Sequence, residues 1–221
     1  MGFFALLKAL DELVYEVMSW LVFYPITLWQ SIRHPLSMMA YAQSEFDDSD
    51  RNRYAEAISP PLFLLISLLI SHGIELATVG QSSLVRSNVG LAALIKDDTS
   101  LILVRLLLFS AFPMIMAVLL VRAQRRQVTR STLQKPFYSQ CYLTSPFALA
   151  LGIGTILQQR AEWLHWTGVA LVLGALVFLI AVEARWFAML VPSSILKGLG
   201  WALLGLLIGL TVIAAVGTAL L

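Results

Sequence analysis

Charge is what this sequence has least of. Only 13% of its 221 residues are Asp, Glu, Lys or Arg, against 59% hydrophobic residues, so the chain cannot present the charged surface of a soluble domain of this length. Cysteine is nearly absent as well. Cys141 stands alone, which excludes an intramolecular disulfide, a redox pair and a cysteine metal cluster, and says nothing of compartment. A formal net charge of +2 is too small to imply a nucleic-acid partner. Phosphate loops, nucleophile elbows and paired-acid motifs are missing, so catalysis finds no support in the motifs. The N-terminus lacks the basic start and small-residue cleavage site of a signal peptide, and the start Met is expected to stay with the chain.

Long apolar runs are abundant, and the mean hydropathy is +0.82. About 20 apolar residues cross a hydrocarbon layer, and five segments qualify: Pro60 to Val79, Leu101 to Val121, Phe137 to Leu157, Trp166 to Arg185, and Leu196 to Leu220. The expected fold is therefore an all-α polytopic membrane bundle, with residues 1–58 as an N-terminal region and 59–221 as a five-span domain. Pro60, Pro136 and Pro192 are expected at or before helix starts, where a missing N–H costs least. Pro113 and Pro146 fall inside spans and should kink them.

Arg122, Arg125, Arg126, Arg130 and Lys135 form a basic loop without an acid. By the positive-inside rule this loop is cytoplasmic, which puts the N-terminus inside and the C-terminus outside. A bacterial inner membrane is the expected location. In the first 58 residues, Phe3, Phe4, Leu6, Leu7, Leu10, Leu13, Val14, Val17, Met18 and Leu21 recur at helical spacing, opposite Lys8, Asp11, Glu12, Tyr15, Glu16 and Ser19. Glu16 and an expected break at Pro25 favour a helix lying in the interface over a sixth span, with Trp20, Tyr24 and Trp29 as anchors.

The first span carries His72 and Glu75 one turn apart, and the second carries Arg105. At a rise of 1.5 Å per residue, Glu75 and Arg105 both lie roughly 6 Å inside the outer boundary, on adjacent antiparallel helices. An isolated charge at that depth costs on the order of 3 kcal/mol, so the two are expected to pair. Two readings of the three residues are open: a buried structural clamp, or a working site such as a proton relay or a headgroup site. Metal is not expected, because His34 and His165 fall at the two membrane surfaces.

The third span begins "KPFYSQCYLTSP". Tyr138 and Tyr142 are one turn apart and Pro146 follows a turn later, which reads as an interfacial tyrosine anchor with a kink. Five spans, an N-terminal cytoplasmic region, a proline-opened first span at Pro60 and this Tyr-x-x-x-Pro pattern resemble the Yip family of Ypt-interacting membrane proteins, in its bacterial branch. The resemblance implies a polytopic scaffold or membrane-organising protein, without enzyme activity or cofactor, and marks Pro60, Tyr142 and Pro146 as the family's motif positions. Of the stretch in which eukaryotic members carry an acid and a glycine before the proline, only the proline stands here, so GTPase binding is not carried over.

In the last span Gly205-x-x-x-Gly209 makes a close-packing face, for the bundle first and for a second copy of the chain otherwise. The expected partners are the bilayer and other membrane proteins. Beside the scaffold stands a second expectation, a small transporter or lipid-handling permease built around His72, Glu75 and Arg105. A polar cavity at those residues favours the permease; a dry, fully packed centre favours the scaffold.

Overall fold

The computed structural model describes residues 3–46, 54, 56–80, 97–191 and 193–220. Seven helices lie among them: α1 Phe3–Arg33, α2 Pro35–Glu45, α3 Pro60–Thr78, α4 Asp98–Ala123, α5 Arg130–Leu157, α6 Glu162–Leu190 and α7 Ile195–Leu220. The fold is all-α, and α3 to α7 are long and apolar enough to cross a membrane. Although α1 has 31 residues, acids and polar groups dilute its apolar run, and it is not among them.

The centre of the bundle is α5. It packs against α3, α4, α6 and α2, and touches α1, while α6 and α7 pack on each other and α7 on α4. More than half of its apolar window is buried (56%), against 17–33% for the other four spans. It begins seven residues before the expected Phe137 because Thr129 and Thr132 form a capping box, each bonding the other's backbone N–H. Pro136 therefore sits inside the helix, not at its start; its missing N–H leaves the Thr132 carbonyl without a helical donor. The basic loop contracts accordingly. Arg122 belongs to the last turn of α4 and Arg130 and Lys135 to α5, so only Arg125 and Arg126 lie between helices. Pro192 lies outside the described residues, as does most of the loop expected between the first two spans.

No break occurs at Pro25, which lies within α1. The helix continues because Trp20, Phe23, Tyr24, Thr27, Leu28 and Ser31, spaced three or four apart, hold its C-terminal half on the bundle. Thr27 Oγ1 accepts the Ile58 N–H at 3.3 Å, and the hydroxyls of Tyr24 and Ser67 are 3.1 Å apart. Burial raises the pKa of Tyr24. The N-terminal half projects, with Leu10, Leu13, Val14, Val17 and Met18 all exposed.

Tyr142 overturns the interfacial-anchor reading. It is 1% exposed, its hydroxyl donates to the Ile58 carbonyl at 2.8 Å, and its ring meets Phe63 and Tyr41. A tyrosine with a buried acceptor at hand gains more there than at the water interface. The Tyr41 hydroxyl is pushed up to about 12, chiefly by burial and then by the Glu45 charge. Tyr138 stacks on Tyr54. This aromatic group fastens α1 and α2 to α3 and α5.

Close approach is set by glycine at several seams, the α5–α6 and α4–α7 seams among them. A Cβ on Gly168 would lie 2.4 Å from the Gly154 carbonyl oxygen, so α5 and α6 touch backbone to backbone. A Cβ on Gly205 would lie 2.1 Å from Met116 Sδ, and one on Gly209 3.3 Å from Phe112, so the Gly205/Gly209 face is filled by α4 of the same chain. Gly168→Ala should therefore destabilise by about 1–3 kcal/mol, whereas Gly174→Ala, with nothing within 4 Å, should be neutral or gain up to about 1 kcal/mol from helix propensity. Thermal unfolding of the two variants in detergent checks the contrast.

Candidate functional site

Where α3 meets α4, four ionisable side chains converge. His72 and Glu75 share a face of α3 at i and i+3; Asp98 and Arg105 share a face of α4 at i and i+7. Arg105 Nη1 lies 2.6 Å from Glu75 Oε2 and 3.2 Å from His72 Nδ1. The pairing expected from equal depth is thus present, and the bond length is that of a charge-assisted contact. His72 is nearly sealed and Glu75 mostly buried, with side chains 4% and 16% exposed; Arg105 reaches 25%.

A guanidinium only donates, so a bond from Arg105 needs His72 Nδ1 as its acceptor; the same nitrogen lies 3.6 Å from Glu75 Oε2. His72 Nε2 faces Asp98 Oδ1 at 3.8 Å, too long for a hydrogen bond, and both atoms are buried without one. The cluster holds two carboxylates against one guanidinium. Sequence alone does not single out Asp98, because it reads as loop; its seven-residue spacing from Arg105 is the available signal. Asp97, one position earlier, caps α4 by accepting from Ser100 N at 2.7 Å, and the Ser100 bonds hold its carboxyl below the usual range. The stability it contributes is present near neutral pH and is lost as acid protonates it.

Beside the pair lies a chamber of about 200 Å³, lined by the polar Glu75, Arg105, Ser71, Thr155 and Gln159 and by apolar residues that include Leu68, Phe109 and Leu151. Phe109 and Leu151 also line a second cavity of about 440 Å³ between α4, α5, α6 and α7, with the exposed Leu210 and Ile213 at its edge. Leu108, Phe112, Phe147, Leu176 and Leu210 line it, and Thr144 is its one polar side chain. A space so lined stays dry and accepts apolar matter. Two residues thus form a common wall between a charged chamber and an apolar cavity.

A second polar group sits at the α5–α6 seam. Glu183 is 1% exposed and Gln140 fully buried, and Gln140 Nε2 donates to Glu183 Oε2 at 3.2 Å. Sequence reasoning misses Glu183 too, although an acid inside an apolar run of span length is itself a signal. Of the motif positions, Pro60 opens α3 with Tyr142 bonded two residues before it at Ile58, and Pro146 is buried one turn further along α5. The basic residues Arg122, Arg125, Arg126 and Arg130 are exposed at the far end of the bundle from Glu75. His165 bonds the Gln158 carbonyl through Nδ1 at 2.8 Å, and the Arg160 guanidinium donates to the Thr78 carbonyl, tying the α5–α6 turn to the end of α3.

No protein family, curated protein or solved structure matches the chain.

If Glu75 and Arg105 compensate each other, removing one should hurt more than removing both. Glu75→Gln and Arg105→Met singly should each cost up to about 3 kcal/mol, at the low end for a buried pair because both groups retain some exposure. The double variant should regain much of that loss. A double-mutant cycle on thermal unfolding in detergent measures the coupling, and additive losses would contradict the clamp.

Proposed function

We propose that this chain is a non-catalytic integral membrane protein that binds a lipid-like amphiphile between its helices. One observation carries the reading: the charged chamber at Glu75 and Arg105 and the apolar cavity of about 440 Å³ share Phe109 and Leu151 as walls. An amphiphile passing Phe109 and Leu151 would set its polar head in the chamber and its apolar tail in the cavity, which lies in the range of about 300–1,000 Å³ usual for small-molecule sites. Because Arg105 is engaged by Glu75 and His72, and because carboxylates outnumber guanidinium in the cluster, a zwitterionic or neutral head fits better than an anionic one. Ser71, Thr155 and Gln159 offer it hydroxyl and amide partners.

The scaffold reading, which the Yip-like pattern implies, draws on a different observation. The projecting half of α1 exposes Leu10, Leu13, Val14, Val17 and Met18, a face suited to lie in a leaflet and organise the membrane around it. The two roles are compatible, since one resides in the bundle and the other outside it. The basic residues from Arg122 to Lys135 orient that end, and the N-terminus with it, toward the cytoplasm of a bacterial inner membrane.

Two measurements check this. Protein purified in mild detergent should retain about one amphiphile per chain by native mass spectrometry, and Leu176→Trp, which fills the apolar cavity, should release it while unfolding near the wild-type temperature. Equal retention by the filled variant contradicts the reading. For orientation, an impermeant thiol reagent applied to intact cells should label a cysteine at Ala161 and spare one at Gln127; the reverse pattern inverts the topology.

A further inference from the structure

Gln140 and Glu183 are two planar groups joined by one bond, Gln140 Nε2 to Glu183 Oε2 at 3.2 Å. The second atom of each group, Gln140 Oε1 and Glu183 Oε1, is buried without a partner. With Glu183 ionised both atoms are acceptors, and a carboxylate can only accept. Two unpartnered acceptors on one bonded pair, in a seam that also buries the unpartnered Thr144 Oγ1 and Trp186 Nε1, is an arrangement that native cores avoid.

A counter-charge does not resolve it. Among the described residues Glu183 makes no ion pair. Arg185, on α6 itself, is exposed. The titratable Cys141 of α5 packs with Leu64 and Leu68 of α3, on the other side of that helix. The residues flanking Glu183 on α6, Val182, Trp186 and Phe187, belong to an apolar cluster with Met39 of α2, Met116, Leu119 and Leu120 of α4 and Trp201 of α7, while Lys197 is exposed. Apart from the uncharged Thr144 hydroxyl and Trp186 N–H, the seam's described polar groups are Gln140 and Glu183 themselves. A bare carboxylate there would be an uncompensated charge in a medium that cannot solvate it, and groups so placed are neutralised instead.

We propose that Glu183 and Gln140 form an intramembrane proton-binding site, with Glu183 present as the neutral acid. One proton settles both orphaned atoms. Carried on Glu183 Oε1, it makes that oxygen a donor to Gln140 Oε1, and the acid and amide close a two-bond ring. The proton is drawn from water, a carboxylate becomes a carboxylic acid, and the charge of the seam changes by one. Thr144 stands one turn beyond Gln140 on α5 and lines the apolar cavity, so the site lies a single helical turn from that space. Two orphaned oxygens and a missing counter-charge define the site, with or without an amphiphile in the cavity.

Infrared difference spectroscopy of the full-length protein in lipid nanodiscs at neutral pH reads the proton directly. The wild type should show the carbonyl stretch of a protonated carboxylic acid, moving on exchange into deuterium oxide and lost in Glu183→Gln. That variant imitates the neutral acid, so its melting temperature should stay within a few degrees of wild type. Should Glu183→Gln fail to fold, Gln140→Leu serves instead, since removing the amide partner should move the same band. A spectrum unchanged in both variants overturns the proposal. So does a band that sodium abolishes while raising the melting temperature, which would make the occupant a metal cation.

Discussion

The least apolar of the five spans takes the middle of the bundle. α5 has a mean hydropathy of 1.3 where the others range from 1.7 to 2.4, yet it is the most buried of them. In a hydrocarbon solvent this inversion follows from one constraint, that polar side chains must be satisfied by protein because lipid offers them nothing. Ser139, Gln140, Tyr142, Thr144 and Ser145 are all buried on α5. Several find backbone acceptors: Ser139 the Met39 carbonyl at 2.9 Å, Tyr142 that of Ile58 at 2.8 Å, and Ser145 that of Cys141 at 2.7 Å. The remaining spans can then be nearly pure hydrocarbon on their outward faces.

From that arrangement follow the places where polarity is stored. Ser139 and Tyr142 draw α2 and the start of α3 onto the central helix, which docks the N-terminal region through side-chain bonds and aromatic contacts. The α3–α4 pair closes the opposite end, where Glu75 and Arg105 pair within the protein. Between them the helices do not fill their own interior. The apolar cavity is bounded by Phe and Leu side chains on four helices, with the exposed Leu210 and Ile213 at its edge. A ligand with a polar head and an apolar body would complete the packing.

Much of the bundle was legible in the sequence, because a run of about 20 apolar residues in a helical protein is seldom anything but a membrane span. All five spans fall where the hydropathy places them. What misled were the polar ends and the local rules. The first two turns of α5 are polar, and only the Thr129 cap marks them as helix. Pro25 reads as a break when judged locally, but tertiary contacts from Trp20 to Ser31 hold the helix through it. Tyr142 reads as an interfacial anchor until the Ile58 carbonyl supplies a buried acceptor, a contact 84 residues away in sequence. Depth matching found Glu75 and Arg105 because both lie well inside apolar runs. Asp98 sits at a boundary and Glu183 between apolar neighbours, and their significance appears only once the facing helices are in place.

A density map of the protein in native-lipid nanodiscs tests the central claim most directly. The account predicts elongated density in the cavity between α4, α5, α6 and α7, continuing past Phe109 and Leu151 to end beside Glu75 and Arg105. Helices closed on a cavity without such density, with Leu108, Phe147 and Leu210 in mutual contact, would contradict it.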